Sequence, residues 1–243
     1  MDNLKTNEIV TLDTFIGQSK IIETLKISIS AAKMREEALD HILLSGPRGS
    51  GKGTLAVSVA NELGSTMRIS SFNAIRNASD LAAILTSLME GDVLVIENFD
   101  AIRQDCAELL CTAMESFCMD IIIGKGPTAR SIRLDLPAFT LIGIMDVKRK
   151  LPGKLLSCFS ICASLTDYST HELIKLAQKW CSMQPIEITG GALEKIALYA
   201  DGSNRKLMNT LKRARDFAVI TNNGVINTEV ADKTINSLLD NDF

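Results

Sequence analysis

The sequence predicts an α/β domain built on a parallel sheet, followed by a smaller all-helical domain. Three observations predict it. Strand-like and helix-like segments alternate over the first 165 residues. A Gly-rich phosphate-binding motif sits between one such strand and one such helix. From Ser169 onward the pattern is helical only. The 243-residue length suits one large or two smaller domains. We expect a nucleotide-binding domain over residues 1–166 and a helical domain over 167–243.

The elements follow in order. His41-Ile42-Leu43-Leu44-Ser45 is a short apolar run ended by a glycine, as a buried strand would be. Thr54 to Leu63 has apolar residues at helical spacing and a closing Gly64. Met67 to Ser71 and Asp92 to Glu97 are short apolar runs with β-branched residues, and Thr140 to Ile144 is another buried strand. Ala78 to Leu88 and Cys106 to Phe117 show helical spacing. In the second domain, Ser169 or Thr170 caps a helix with Glu172 near its start. Apolar spacing recurs over Leu173 to Trp180, Ala192 to Tyr199, Leu207 to Val219 and Val230 to Leu239. Asn222-Asn223-Gly224 marks a turn between the last two.

The motif is Gly46-Pro-Arg-Gly49-Ser50-Gly51-Lys52-Gly53-Thr54. It fits G-x-x-x-x-G-K-[ST] in all but the last position. Strand, Gly-rich turn and helix aim backbone N–H groups at an anion, where the helix dipole favours negative charge. Lys52 adds a cation near the outer phosphates. The position that should carry the Mg²⁺-binding hydroxyl is Gly53, and the hydroxyl arrives one residue late on Thr54. The chain therefore reads as built to hold ATP or ADP and altered where it would use it.

Bulk properties narrow the function further. A net charge of −3 gives no global basic character, so strong unaided nucleic-acid binding is not expected. No membrane-length apolar run or signal peptide is present, and a cytoplasmic protein is expected. The six cysteines form no C-x-x-C pair and read as reduced, buried small hydrophobes. The two histidines, His41 and His171, are isolated and support no metal site.

Several stretches together resemble the RuvB family, the AAA+ motors that drive branch migration at Holliday junctions. They include Phe15-Ile16-Gly17-Gln18, Ala38-Leu39-Asp40-His41, Asp80 to Thr86, Met114 with Glu115, and Arg213 to Ala218. The run from Asp120 to Leu136, continuing to Gly143, is the most specific of them. The resemblance covers residues 12 to 240 and implies a three-layer α/β AAA+ domain with a helical lid. In the family a winged-helix DNA-binding domain follows the lid, and this chain ends at Phe243, about where it would begin.

The resemblance also implies roles for single residues. Hydrolysis needs a hydroxyl and an acid on Mg²⁺, a second acid to activate water, and a neighbouring subunit's arginine. Asp92 to Asn98 matches the Walker B strand, with Glu97 at the metal acid and Asn98 at the base. An amide orients water but does not accept its proton. Thr54 and Glu97 are the candidate Mg²⁺ contacts. Ile144, Met145 and Asp146 stand at the sensor stretch, and Cys158 at the arginine finger, with Lys154 one helical turn away. Phe15 and Ile16 match the adenine-side segment, Tyr168 a nucleotide-contacting tyrosine, and Arg205 the lid's sensor arginine. Residues 120–136 match a projecting β-hairpin that docks on a RuvA domain, with Ile121, Ile122, Ile123, Lys125, Pro127 and Ile132 as candidate contacts. A purely structural hairpin would also need the apolar ones.

Three readings follow. The first is a RuvB-like scaffold or regulator of DNA recombination and repair that binds nucleotide but hydrolyses it poorly or not at all. It would act in a homomeric or mixed ring with a RuvA-like partner, touching DNA weakly and non-specifically when alone. The second is an active branch-migration ATPase with displaced catalytic groups. The third is an interaction module that binds no nucleotide.

Overall fold

A computed structural model describes residues 10–123, 130–146 and 151–240. Its central sheet is made of β1 (Ile42–Ser45), β2 (Met67–Ser71), β3 (Val93–Glu97), β6 (Thr140–Met145) and β7 (Ile161–Ser164). The order across the sheet is β2-β3-β6-β1-β7, all parallel. Strands buried on both faces read as continuous apolar runs, and their alternate residues feed two separate cores. Ile42, Leu44, Val93, Val95, Ile142 and Ile144 point to one face. They meet α1 (Ser19–Arg35) and α2 (Lys52–Leu63) there. Leu43, Leu94, Ile96 and Leu141 point to the other. There they meet α3 (Ala78–Thr86), α4 (Gln104–Ser116) and α5 (Gly153–Ser157). This is the three-layer arrangement.

The second unit packs α6 (Thr170–Ser182), α7 (Gly190–Ala200), α8 (Asn204–Thr221) and α9 (Thr228–Leu239) around its own core. Ser169 and Glu172 form a full capping box at the start of α6. The Asn222–Gly224 turn holds Asn223 and Gly224 at φ 49° and 81°, the left-handed region those residues tolerate. One addition to the helical pattern is a pair of two-residue strands, β8 (Glu187–Ile188) and β9 (Val225–Ile226), joined in parallel. They staple the turn before α7 to the turn before α9.

Cysteine burial is less uniform than the sequence suggests. Cys106, Cys111, Cys118 and Cys181 are buried, but Cys158 is half-buried and Cys162 is exposed. Cys162 lies on β7, which ends the order of the sheet among the described residues.

Between α4 and β6, strands β4 (Cys118–Ile123) and β5 (Arg130–Asp135) form a separate antiparallel pair. Its base is anchored, with Met119 and Leu136 buried in the sheet's second core. Leu134 and Ile132, further out on β5, are 37% and 45% exposed. The register places Leu134 opposite Met119 and Ile132 opposite Ile121. Lys125 and Pro127 lie outside the described residues.

His41 is a buried peg between layers. Its Nδ1 accepts from the Leu141 N–H at 3.0 Å, so Nε2 carries the proton and donates to the Met114 carbonyl at 3.2 Å. Its ring packs on Phe139 and Phe117. Burial lowers its pKa, against the Met114 bond and the Asp40 charge. Below about pH 6.5 the unfolded chain takes up a proton that the folded chain refuses, so the unfolded state binds more protons and stability drops as the pH drops. The expected slope in urea unfolding is up to ~1.4 kcal/mol per pH unit below pH 6.5. His41→Ala should remove that dependence and cost ~2–4 kcal/mol at pH 7.5, by stranding a buried N–H and a buried carbonyl.

Candidate nucleotide site

The site forms at the carboxyl edge of the sheet, where open α/β folds place their ligands. β1 leads directly into the Gly46–Lys52 loop. Gly46, Gly49 and Gly51 have φ of 151°, 90° and 94°, a backbone that side-chain-bearing residues rarely adopt. α2 begins at Lys52, and its N-cap, Gly51, supplies no side-chain acceptor. The first-turn N–H groups therefore have no intrahelical partner and face an anion site. Ser50 Oγ is buried without a hydrogen-bond partner, a further free donor in the loop. These features fit a bound phosphate chain.

The other sequence-predicted contacts converge on the loop. A Cβ on Gly51 would lie 2.4 Å from Tyr168 Oη and 3.1 Å from Phe15 Cζ. Tyr168 is buried, and burial, with the Glu172 charge behind it, pushes its hydroxyl up to about 12. It therefore stays a neutral donor. Ile16 is half-buried beside Phe15. From the lid, the Asn204 N–H donates to the Gly49 carbonyl at 3.1 Å, and Ser203 Oγ reaches the Arg48 carbonyl at 3.5 Å. Arg205 follows at the first turn of α8, exposed and close enough for its charge to lower the Lys52 pKa. Gln18 ends the Phe15–Gln18 stretch and is a junction residue whose bridging role the sequence does not signal. Its side-chain amide donates to the Thr166 carbonyl at 2.8 Å and accepts from the Thr166 N–H at 3.3 Å. It ties the Phe15–Gln18 segment to the start of the lid.

Lys52 is buried and fully engaged within the protein. Its Nζ donates to the Gly46 and Pro47 carbonyls at 2.6 and 2.8 Å and lies 3.4 Å from Asp146 Oδ1. Asp146 also takes Arg48 Nε at 3.2 Å on Oδ2. Burial raises the Asp146 carboxyl, but the Arg48 and Lys52 bonds and charges outweigh it and hold it below the ordinary carboxylate range. Burial is also the main cause lowering Lys52, opposed by Asp146.

The positions that the resemblance assigns to hydrolysis are arranged differently. Glu97 ends β3 and is exposed. Asn98 adopts φ 50° and spends its amide on Ser71 Oγ at 2.9 Å. Asp100 lies in the 3₁₀ turn Phe99–Ala101 that follows. Because α2 starts at Lys52, Thr54 lies about 100° around the helix from position 53. Cys158 donates its thiol to the Lys154 carbonyl and reaches Glu115 Oε1 at 3.5 Å. Burial, with a hydrogen bond to Cys111, pushes it up to about 12, so it is a neutral thiol.

Comparison with known proteins agrees with this geometry. Residues 9–165 match the Holliday junction DNA helicase RuvB P-loop domain, and residues 168–240 match the RuvB AAA lid domain. The chain belongs to the RuvB family. Among solved structures, one point mutant of Thermotoga maritima RuvB is 37% identical with a TM-score of 0.86, over 95% of this chain and 73% of that one. A second T. maritima RuvB point mutant is 36% identical with a TM-score of 0.84, covering 94% and 72%. The T. maritima RuvB Holliday junction branch migration motor is 36% identical with a TM-score of 0.83, over 94% of this chain and 72% of that one. The RuvB P-loop domain implies nucleotide binding. Among the described residues, no helix is long and apolar enough to cross a membrane.

The two glycines that flank Lys52 should respond oppositely to alanine. Gly51→Ala places a Cβ at positive φ against Tyr168 and should cost ~1–3 kcal/mol. Gly53→Ala enters open space within a helix and should gain ~0.5–1 kcal/mol. Urea unfolding of both variants gives the two signs.

Proposed function

We propose that this chain is a RuvB-family AAA+ subunit that binds an adenine nucleotide, ATP or ADP, and hydrolyses it slowly or not at all. It acts as a scaffold or regulatory subunit in Holliday junction processing, in a homomeric or mixed ring. The observation that carries this is a contrast between the binding positions and the positions assigned to hydrolysis. The loop glycines, Lys52, Phe15, Tyr168 and the lid's docking contacts are assembled, while Gly53, Asn98 and Cys158 offer no metal hydroxyl, base or finger. General base catalysis is worth roughly 10²–10⁴ in rate and an arginine finger roughly 10³–10⁵. Lys154 lacks the planar fork of a guanidinium. Mg²⁺, if held, would rest on Glu97 and Thr54, so binding should depend on it only weakly.

Phosphate release from ATP by the chain alone should sit at background, with Lys52→Ala as the control. Lys52-dependent release near ~1 s⁻¹, an ordinary enzyme rate, would establish the active ATPase instead. The same assay, mixed with an active RuvB, reads the regulatory role.

The hairpin is proposed as the surface for a RuvA-like domain. Its outer strand keeps Ile132 and Leu134 partly exposed above a buried base, a pattern that a purely structural ribbon does not need. Ile132→Lys should weaken binding to the matching RuvA domain by about tenfold or more while leaving the melting temperature within about 2 °C of wild type. Equal binding by wild type and variant would make the hairpin structural. Alone, the chain should bind DNA only weakly and with strong salt dependence.

A further inference from the structure

We infer that Asp146 occupies the γ-phosphate's place on Lys52, so that this site selects nucleoside diphosphate over triphosphate. The inference rests on the nucleotide-binding reading above and specifies its ligand. In a phosphate-binding loop the lysine serves the β- and γ-phosphates. Here that lysine already has an anion, the Asp146 carboxylate, at 3.4 Å. The same carboxylate takes Arg48, the other cation of the loop, at 3.2 Å. One carboxylate bridging both loop cations is what a terminal phosphate would otherwise do.

The placement follows from the sheet. Ser45 of β1 pairs with Met145 of β6. The residue after each, Gly46 and Asp146, therefore leaves the sheet side by side, and the carboxylate is delivered to the loop by the backbone. Lys52 is buried and also held by the Gly46 and Pro47 carbonyls, so meeting a ligand elsewhere would cost it those bonds. A terminal phosphate must either displace Asp146 or sit beside it, and two anions in contact repel. The β-phosphate relies on the loop N–H groups at the start of α2, which Asp146 leaves open. Arg205, approaching from the lid, supplies the remaining positive charge.

The test is isothermal titration of the full chain with ADP and with ATP, for wild type, Asp146→Asn, Asp146→Thr and Lys52→Ala, each checked by melting temperature. Wild type should bind ADP about tenfold more tightly than ATP. Asn, which keeps the shape and removes the charge, should narrow that ratio to within about threefold, and Thr should act likewise if Asn does not fold. A wild-type ratio under about threefold, or a ratio that the uncharged variants leave unchanged, overturns the inference and leaves the nucleotide-binding reading standing. If wild type binds neither nucleotide but Asp146→Asn binds ATP, Asp146 is the block, and it is the reading of the native chain as a nucleotide binder that falls. If no folded variant binds either nucleotide, both fail.

Discussion

The parallel pairing of β1 with β6 is the constraint on which the site depends. Four consecutive residue pairs, from Ile42 with Ile142 to Ser45 with Met145, fix it. Side chains alternate between faces along a strand, so a slip of one residue would send Leu43 or Leu141 to the wrong core. Two cores of opposite parity therefore hold the register. His41 and Thr140 reinforce it from the strand ends. Leu141 N–H donates to His41, and Thr140 Oγ1 donates to the Leu39 carbonyl at 2.7 Å. The chemistry at the carboxyl edge inherits this alignment: the loop, the sensor stretch and the end of β3 emerge as neighbours.

The lid completes the site through backbone more than through side chains. Asn204 N–H meets the Gly49 carbonyl, and the Tyr168 N–H meets the Gly202 carbonyl at 2.9 Å. Gly202 is held at φ 77°, and a Cβ there would meet Asp167 at 2.7 Å. The turn before α8 is thus packed against both the loop and the entry to the lid. Gln18 closes the same junction from the opposite side. These contacts use peptide groups that every sequence possesses, and so they do not depend on the side chains at Gly53, Asn98 and Cys158.

Much of this is legible in the sequence, for physical reasons that differ by element. Continuous apolar runs such as Ile42–Leu44 announce strands buried on both faces, and Gly-Lys after such a run announces an anion site. Ser169 with Glu172 announces a helix start, and both cap bonds are made. α1 escapes such a reading, although Ile22, Leu25, Ile29 and Ala32 recur at helical spacing. Its start lacks any side-chain cap, with Gln18 at φ 55°, so no start signal draws attention to it. β7 escapes because only Ala163 of its four residues is buried, and an edge strand has a weak apolar signature. Asp146 can be placed by resemblance, but its bridge between Arg48 and Lys52 is a long-range contact that no local pattern encodes. The orientation of Asn98 toward Ser71 is of the same kind.

Gly53 leaves its position open. It stands in an ordinary helical conformation with nothing near the point where a side chain would emerge. The backbone there is the backbone a hydroxyl-bearing residue would use, and no neighbour has moved in to fill the space. Asn98 and Cys158 are different, because each has partners that a replacement would have to displace. The three positions are thus of two kinds: Gly53 faces open space, while Asn98 and Cys158 are tied to neighbouring groups. A side chain at position 53 would displace nothing, whereas replacing Asn98 or Cys158 would break contacts that are already part of the fold.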